Sequence, residues 1–128
     1  MHHSRLQSLM IDCLEGEFEA SLEFWAEALG LPLDRRRGKN QRYVTLGTIE
    51  TPLVIQMQRV TSHPGYHLDI ESDDTAAEVS RLEKNGARNT RRVKRWYVSQ
   101  DPSGNAFCVV RPQSDEFLRH AKRWETRQ

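Results

Sequence analysis

The stretch Tyr66-His67-Leu68-Asp69-Ile70-Glu71-Ser72-Asp73-Asp74 reads as a strand that runs into a helix start. Side chains alternate along a strand, so Leu68 and Ile70 point one way and His67, Asp69 and Glu71 the other. One face suits an apolar core. The other carries an imidazole and two carboxylates, and either meets water or lines a cavity, because unpaired charge is costly to bury. Asp73-Asp74-Thr75 supplies an N-cap, and Glu78 continues the acidic first turns of a helix over Ala76 to Asn85. Val79 and Leu82 face the core of that helix, and Gly86 closes it.

Upstream, the same order of elements is already present. Leu6 to Cys13 reads as a strand with Leu9, Ile11 and Cys13 on one face and Leu6, Ser8, Met10 and Asp12 on the other. Glu15-Gly16-Glu17 breaks it. Phe18 to Leu29 is a helix whose apolar stripe is Phe18, Leu22, Trp25, Ala26 and Leu29, with Gly30 as C-cap and Pro32 beyond. Short strands follow at Leu33 to Arg36, Tyr43 to Leu46 and Leu53 to Arg59, the last with Val54, Gln56 and Gln58 on one face. His63-Pro64-Gly65 is the convincing midpoint break. Downstream of the second helix, strands are expected at Ala87 to Arg91, Val93 to Val98 and Ala106 to Arg111, with a turn at Asp101-Pro102-Ser103-Gly104-Asn105. Both halves read strand, helix, three strands, a repeat of architecture without a detectable sequence period. Ser114-Asp115-Glu116 then caps a final helix to about Thr126, its apolar stripe being Phe117, Leu118, Ala121 and Trp124. That helix docks on its own domain or closes over a partner subunit.

The totals agree with one domain. The chain has 128 residues and a formal net charge of +1, which demands neither nucleic acid nor a membrane surface. No apolar run approaches the roughly 20 residues that span a bilayer, and Met1-His2-His3-Ser4-Arg5 shows no secretory hydrophobic segment. His2 and His3 are assigned no function. Cys13 and Cys108 sit in apolar runs and read as free buried thiols, suiting a reducing cytoplasm. Arg35-Arg36-Arg37 and Arg91-Arg92 occupy equivalent second strands, where edge charges discourage stray sheet pairing. No aromatics interleave with them, against a single-strand nucleic-acid surface.

Three stretches carry a family likeness: Ile11-Asp12-Cys13 followed by Leu22-Glu23-Phe24-Trp25 and Leu29-Gly30-Leu31; His67-Leu68-Asp69-Ile70 running into Asp73-Asp74; and Trp96 before Asp101-Pro102-Ser103-Gly104-Asn105-Ala106-Phe107-Cys108-Val109-Val110. Over roughly residues 5 to 111 the chain resembles the vicinal oxygen chelate superfamily of glyoxalases, extradiol dioxygenases and bleomycin-resistance proteins. The last two stretches look like its glyoxalase-like branch. The resemblance implies an α+β fold of two βαβββ modules, residues 5–62 and 63–112, forming a curved sheet around a central cavity, with a C-terminal helix at 114–126. It also implies a homodimer.

Metal-dependent relatives hold a divalent ion at four cavity positions, and only His67 here matches a ligand type. Ser8 takes the first-strand position of the first module, Gln56 or Gln58 its last strand, and Cys108 stands where the second module has Glu. Stable sites need three or four well-placed ligands, so no tightly bound metal is expected; a weak divalent ion at His67 remains the exception. By strand parity Ser8, Met10, Gln56, Gln58, His67, Asp69 and Cys108 face the cavity side, and Trp96 or Tyr97 joins them. The expected function is binding of a small organic ligand by Ser8, Gln56, Gln58, His67, Asp69, Trp96 and Cys108. The alternative is a lyase or isomerase with His67 as general base or metal ligand, its unperturbed pKa of about 6.5 suiting either proton role. Asp69 orients His67 if the two lie close. Cys108, between Phe107 and Val109, reads as a quiet core thiol.

Overall fold

The computed structural model describes residues 1–35, 42–48 and 51–125. Its elements are β1 (His2–Leu14), a 3-10 turn (Glu15–Glu17), α1 (Phe18–Leu29), β2 (Leu33–Asp34), β3 (Tyr43–Leu46), β4 (Val54–Val60), β5 (Gly65–Ser72), α2 (Thr75–Lys84), β6 (Arg88–Val93), β7 (Trp96–Gln100), β8 (Ala106–Val110), α3 (Glu116–His120) and β9 (Lys122–Trp124). The fold is α+β, and the expected βαβββ order occurs twice. Two compact units divide the chain: Ser8–Tyr66, and Met1–Gln7 together with His67–Gln128.

In the first unit the strand order is β1-β4-β3-β2. β1 pairs parallel with β4, β3 antiparallel with β4, and β2 antiparallel with β3. Register sets the two faces. Met10 lies opposite Gln56 and Ile11 opposite Met57, so Ile11, Cys13, Val44 and Met57 share the apolar face. α1 lays Phe18 and Leu22 on that face, and the six residues form the buried core, with Trp25, Leu33 and Ile55 packed against it. The Arg59 guanidinium lies 4.1 Å from the Phe18 ring centre and pairs with Glu15 at 3.0 Å. Gly30 ends α1 at φ +67°, a conformation that suits glycine, and its N–H donates to the Ala26 carbonyl. The expected stripe runs too far: Leu29, in the last turn, is 45% exposed, because the buried contacts gather on Phe18 and Leu22. Burial pushes the Cys13 thiol above its ordinary value, against a smaller opposing hydrogen bond from Ser21. That cysteine is the quiet core thiol.

The second unit repeats the order as β5-β8-β7-β6. β5 pairs parallel with β8, and β7 runs antiparallel to both β8 and β6. α2 is capped by Asp74, whose Oδ1 accepts from the Ala77 N–H at 3.0 Å. Val79 is buried beneath it. Gly86, at φ +111°, follows α2; a Cβ there would meet Pro102 at 3.3 Å. The Asp101 side chain organises the turn before β8, accepting from the Ser103 and Asn105 amides at 2.9 and 2.8 Å. Hydrogen bonds from the Asn105 side chain and backbone hold its carboxyl below the usual range.

Several expectations need correction. The first strand begins at His2 rather than Leu6, because its opening residues have partners far along the chain. His2 Nε2 lies 2.9 Å from Glu78 Oε1, the His3 N–H donates to Asp73 Oδ1 at 2.7 Å, and Arg5 Nε donates to Glu71 Oε1 at 2.7 Å. Glu78 is therefore no solvated first-turn acid. It has no exposed surface and also accepts from Arg81 Nε and Nη2 at 2.8 and 2.9 Å. Val93 ends β6 rather than opening β7. It pairs with Trp96 across a two-residue turn in which Lys94 takes φ 54°. The C-terminal helix is present but stops at His120. Phe117 is buried, whereas Leu118 is 83% exposed and Trp124 leaves the helix altogether. Residues Lys122–Trp124 pair antiparallel with His2–Ser4. The Trp124 Nε1–H donates to Ser4 Oγ at 2.9 Å, and its ring lies 3.7 Å beneath the Arg81 guanidinium. Those contacts favour a strand over further helical turns. Arg36, Arg37 and the rest of the turn to Asn40 lie outside the described residues, as does Thr126.

Candidate functional site

β5 and β8 build the site. His67 and Asp69 are two residues apart on β5 and share a face, and Asp69 is the register partner of Cys108 on β8. Directly paired residues point to the same side of a sheet, so Cys108 joins them. One donor atom from each, an imidazole nitrogen, a carboxylate oxygen and the thiol sulfur, lie within 4.8 Å of one another. His67 Nε2 is 3.4 Å from Asp69 Oδ1. That is an electrostatic contact rather than a well-formed hydrogen bond. Asp69 is 8% exposed, and its Oδ1 is shielded from solvent without a hydrogen-bond partner among the described residues. A carboxylate oxygen so placed is costly until a cation or donor answers it.

Cys108 is not the core thiol expected of it. The fully buried residue of that strand is Val109 on the opposite face, whereas Cys108 is only partly buried and lies on the polar side. Val98 pairs with Cys108, and Trp96 lies two residues before Val98, so Trp96 shares the face of His67. Arg91, the partner of Val98 on β6, shares it too. Tyr97, paired with Arg92, falls on the other side. Glu71 keeps the parity of His67 and Asp69, but it is consumed by Arg5 and by the Gln113 N–H, which donates to Oε2 at 2.8 Å. Four of the seven expected ligand-binding residues, His67, Asp69, Trp96 and Cys108, thus lie on one face of the second unit.

Ser8, Gln56 and Gln58 belong to the first unit. Register puts them on a common polar face, since Ser8 pairs with Val54, Met10 with Gln56 and Asp12 with Gln58. Ser8 is fully buried and its Oγ has no hydrogen-bond partner among the described residues. Gln56 Nε2 donates to Thr45 Oγ1 at 3.4 Å. The Gln58 amide is best satisfied with its nitrogen donating to Asp12 Oδ1 at 2.8 Å and its oxygen accepting from Tyr43 Oη at 3.2 Å.

The second unit holds two features that the sequence did not announce. One is the cluster around Glu78. Burial alone would raise its carboxyl, but hydrogen bonds from Arg81, Ser4 and His2, with the Arg81 charge, outweigh that and hold it below the usual range. Asp73 behaves alike: desolvation is outweighed by the His3 N–H and imidazole. No local signal pairs residues 76 positions apart. The other is a cleft of about 450 Å³ at the start of α2, lined by Arg92, Arg95, Arg111 and Tyr97 among others. It does not include His67, Asp69 or Cys108, but it does include Arg92 of the basic run read as edge protection.

A family model described as a glyoxalase-like domain matches residues 8–110. No curated protein matches the chain. Among solved structures, a methylmalonyl-CoA epimerase from Mycobacterium tuberculosis is similar at 18% identity and a TM-score of 0.57, over 87% of this chain and 89% of that one. An NAD-dependent benzaldehyde dehydrogenase from Legionella pneumophila is similar at 11% identity and a TM-score of 0.54, over 80% and 95%. A homoprotocatechuate 2,3-dioxygenase from Arthrobacter globiformis is similar at 16% identity and a TM-score of 0.52, over 84% of this chain and 35% of that one. The chain therefore spans about a third of the dioxygenase. Three differently named activities share the fold, so the likeness shows the fold and no more. Among the described residues no helix is long and apolar enough to cross a membrane.

Proposed function

From the premise that the chain belongs to the glyoxalase-like domain family, we propose that it binds a small organic molecule on the β5–β8 face, with His67 as the group that exchanges a proton with it. The observation that carries this is the contact between His67 Nε2 and the buried Asp69 Oδ1, which has no hydrogen-bond partner among the described residues. A carboxylate oxygen this close restrains the orientation of the imidazole. A ligand bearing an acidic proton would then meet a candidate base held beside a carboxylate. Trp96 supplies a flat surface on the same face, suited to a planar ligand.

A second reading, a lyase or isomerase that uses His67 as general base, is favoured by the same His67–Asp69 pair, since a proton acceptor oriented by a carboxylate is the minimum such chemistry needs. The two differ in turnover, not in site.

The test is a thermal-shift screen of purified protein against a metabolite and antibiotic library, because a ligand that binds the folded state raises its apparent stability. Compounds that shift the wild-type transition are expected to lose that shift in His67→Ala, whose own melting temperature stays near the wild-type value. A variant that keeps full affinity would remove His67 from the site. A hit that is also converted to product would move the conclusion to the enzyme.

A further inference from the structure

We propose that the cleft at the start of α2 is a second binding site, which holds the dianionic phosphate group of a small phosphorylated molecule through Arg92, Arg95 and Arg111. None of the residues of the ligand face takes part in it. Tyr97 is the register partner of Arg92 on β6 and of Val109 on β8, and lies on the side of the sheet away from His67. Arg111 follows two residues after Val109 and lines the same cleft. Arg95 sits in the two-residue turn between β6 and β7, beside Lys94 at φ 54°. Three guanidinium groups thus gather from β6, the turn after it and the end of β8.

The positive charge of the cleft is not already spent. Arg92 Nε donates to the Lys94 carbonyl at 3.2 Å, which leaves the rest of its fork for another acceptor. Among the described residues none of the three arginines has a carboxylate partner. The two acids of the lining, Asp73 and Asp74, are by contrast occupied. Asp73 Oδ1 accepts from the His3 N–H, and its Oδ2 lies 2.7 Å from His3 Nδ1. Asp74 Oδ1 accepts from the Ala77 N–H. Thr75 and Ala76 open α2, so their amides have no intrahelical acceptor, and both residues line the cleft. Amides so placed favour an anion, and an anion also relieves the repulsion among guanidinium groups that share one cleft.

Size and chemistry choose the ligand. The cleft holds about 450 Å³, within the roughly 300 to 1,000 Å³ of small-molecule sites. A guanidinium fork matches two phosphate oxygens at once, and a phosphate dianion answers more forks than a single carboxylate does. Tyr97 adds an aromatic surface for a ring attached to the phosphate. An extended nucleic-acid strand fits less well. The carboxylates of Asp73 and Asp74 stand on the same lining, and one aromatic offers no succession of stacking platforms. Binding makes and breaks no covalent bond.

The experiment is a calorimetric titration of the full chain with phenyl phosphate at fixed low ionic strength, because salt screens exposed charges. Inorganic phosphate and benzoate are the comparison probes. One equivalent of phenyl phosphate is expected to bind with a Kd below about 1 mM. Inorganic phosphate should bind more weakly, and benzoate about tenfold more weakly or worse. Arg92→Ala and Arg111→Ala should each weaken phenyl phosphate by about tenfold, the worth of a hydrogen bond between charged partners. Arg111→Lys should recover only part of that loss, since it keeps the charge without the fork. Arg119→Ala, which removes the same charge from an exposed site on α3, should leave the affinity unchanged. Arg92 and Arg111 are exposed, so their variants are expected to fold as the wild type does. Should one fail to fold, the three probes on the wild type still decide. Absence of saturable phenyl phosphate binding, equal affinity for benzoate, or unaltered affinity in both alanine variants would overturn the site. So would affinity for single-stranded oligonucleotides that grows with their length while phenyl phosphate stays unbound. Organic hits lost in His67→Ala should bind Arg92→Ala as they bind the wild type, so that either site can fail while the other stands.

Discussion

Glu78→Gln is the substitution whose cost follows most directly from the structure. The wild-type carboxylate has no exposed surface and receives His2, both nitrogens of the Arg81 fork, and Ser4. Glutamine keeps the shape, but its NH₂ must face a donor where Oε1 or Oε2 now accepts. One charge-assisted bond of roughly 1.5 to 3 kcal/mol is lost, and a donor is left facing donors. The expected cost is about 2 to 4 kcal/mol at neutral pH, a large part of the roughly 5 to 15 kcal/mol that holds a domain together. The sign with pH follows from the depressed carboxyl. Folded Glu78 lies below its unfolded value of 4.5, so its contribution is full above that value and fades as pH falls through the folded one. Urea unfolding of wild type and variant between neutral pH and about pH 3 should therefore show a gap that closes toward acid. Glu83→Gln, an exposed acid on the same helix, should stay within about 0.5 kcal/mol throughout. A Glu78→Gln variant as stable as wild type at neutral pH, or a gap that is constant with pH, would refute the reasoning.

Two further substitutions test the units separately. Leu22→Ala empties a fully buried position in the first unit's core and should cost about 2 to 5 kcal/mol in denaturant unfolding; a loss below 1 kcal/mol would mean the site collapses around the cavity. Asp74→Ala removes the acceptor for the Ala77 N–H and should lower stability by about 1 kcal/mol, with Asp74→Asn close to wild type.

What could be read from the sequence was whatever is encoded locally. α1 was legible to the residue, Phe18–Leu29, because its apolar spacing and its glycine stop lie next to each other in the chain. The doubled βαβββ order was legible from alternation and from the break at Pro64-Gly65. The parity of His67 and Asp69 followed from spacing alone. Their neighbour Cys108 was harder, since it meets Asp69 only through a parallel register that no local pattern specifies. Its apolar flanks suggested a core thiol, but on a strand those flanks belong to the other face. His2 and His3 looked like an idle terminus because their carboxylates lie more than 60 residues away. Trp124 fitted a helical stripe, yet a sheet edge, an indole acceptor and a stacked guanidinium outweighed the spacing.

The central claim is that the face carrying His67, Asp69 and Cys108 is where a ligand sits. Cys108 reports on it directly, being partly exposed and close to both partners, while Cys13 is buried. The decisive measurement is the rate of iodoacetamide modification of Cys108, read by peptide mass spectrometry, with and without a saturating hit from the thermal-shift screen. A several-fold slowing at Cys108, with Cys13 unreactive in both cases, is the predicted result. Modification at an unchanged rate under saturation would place the ligand elsewhere and contradict the account.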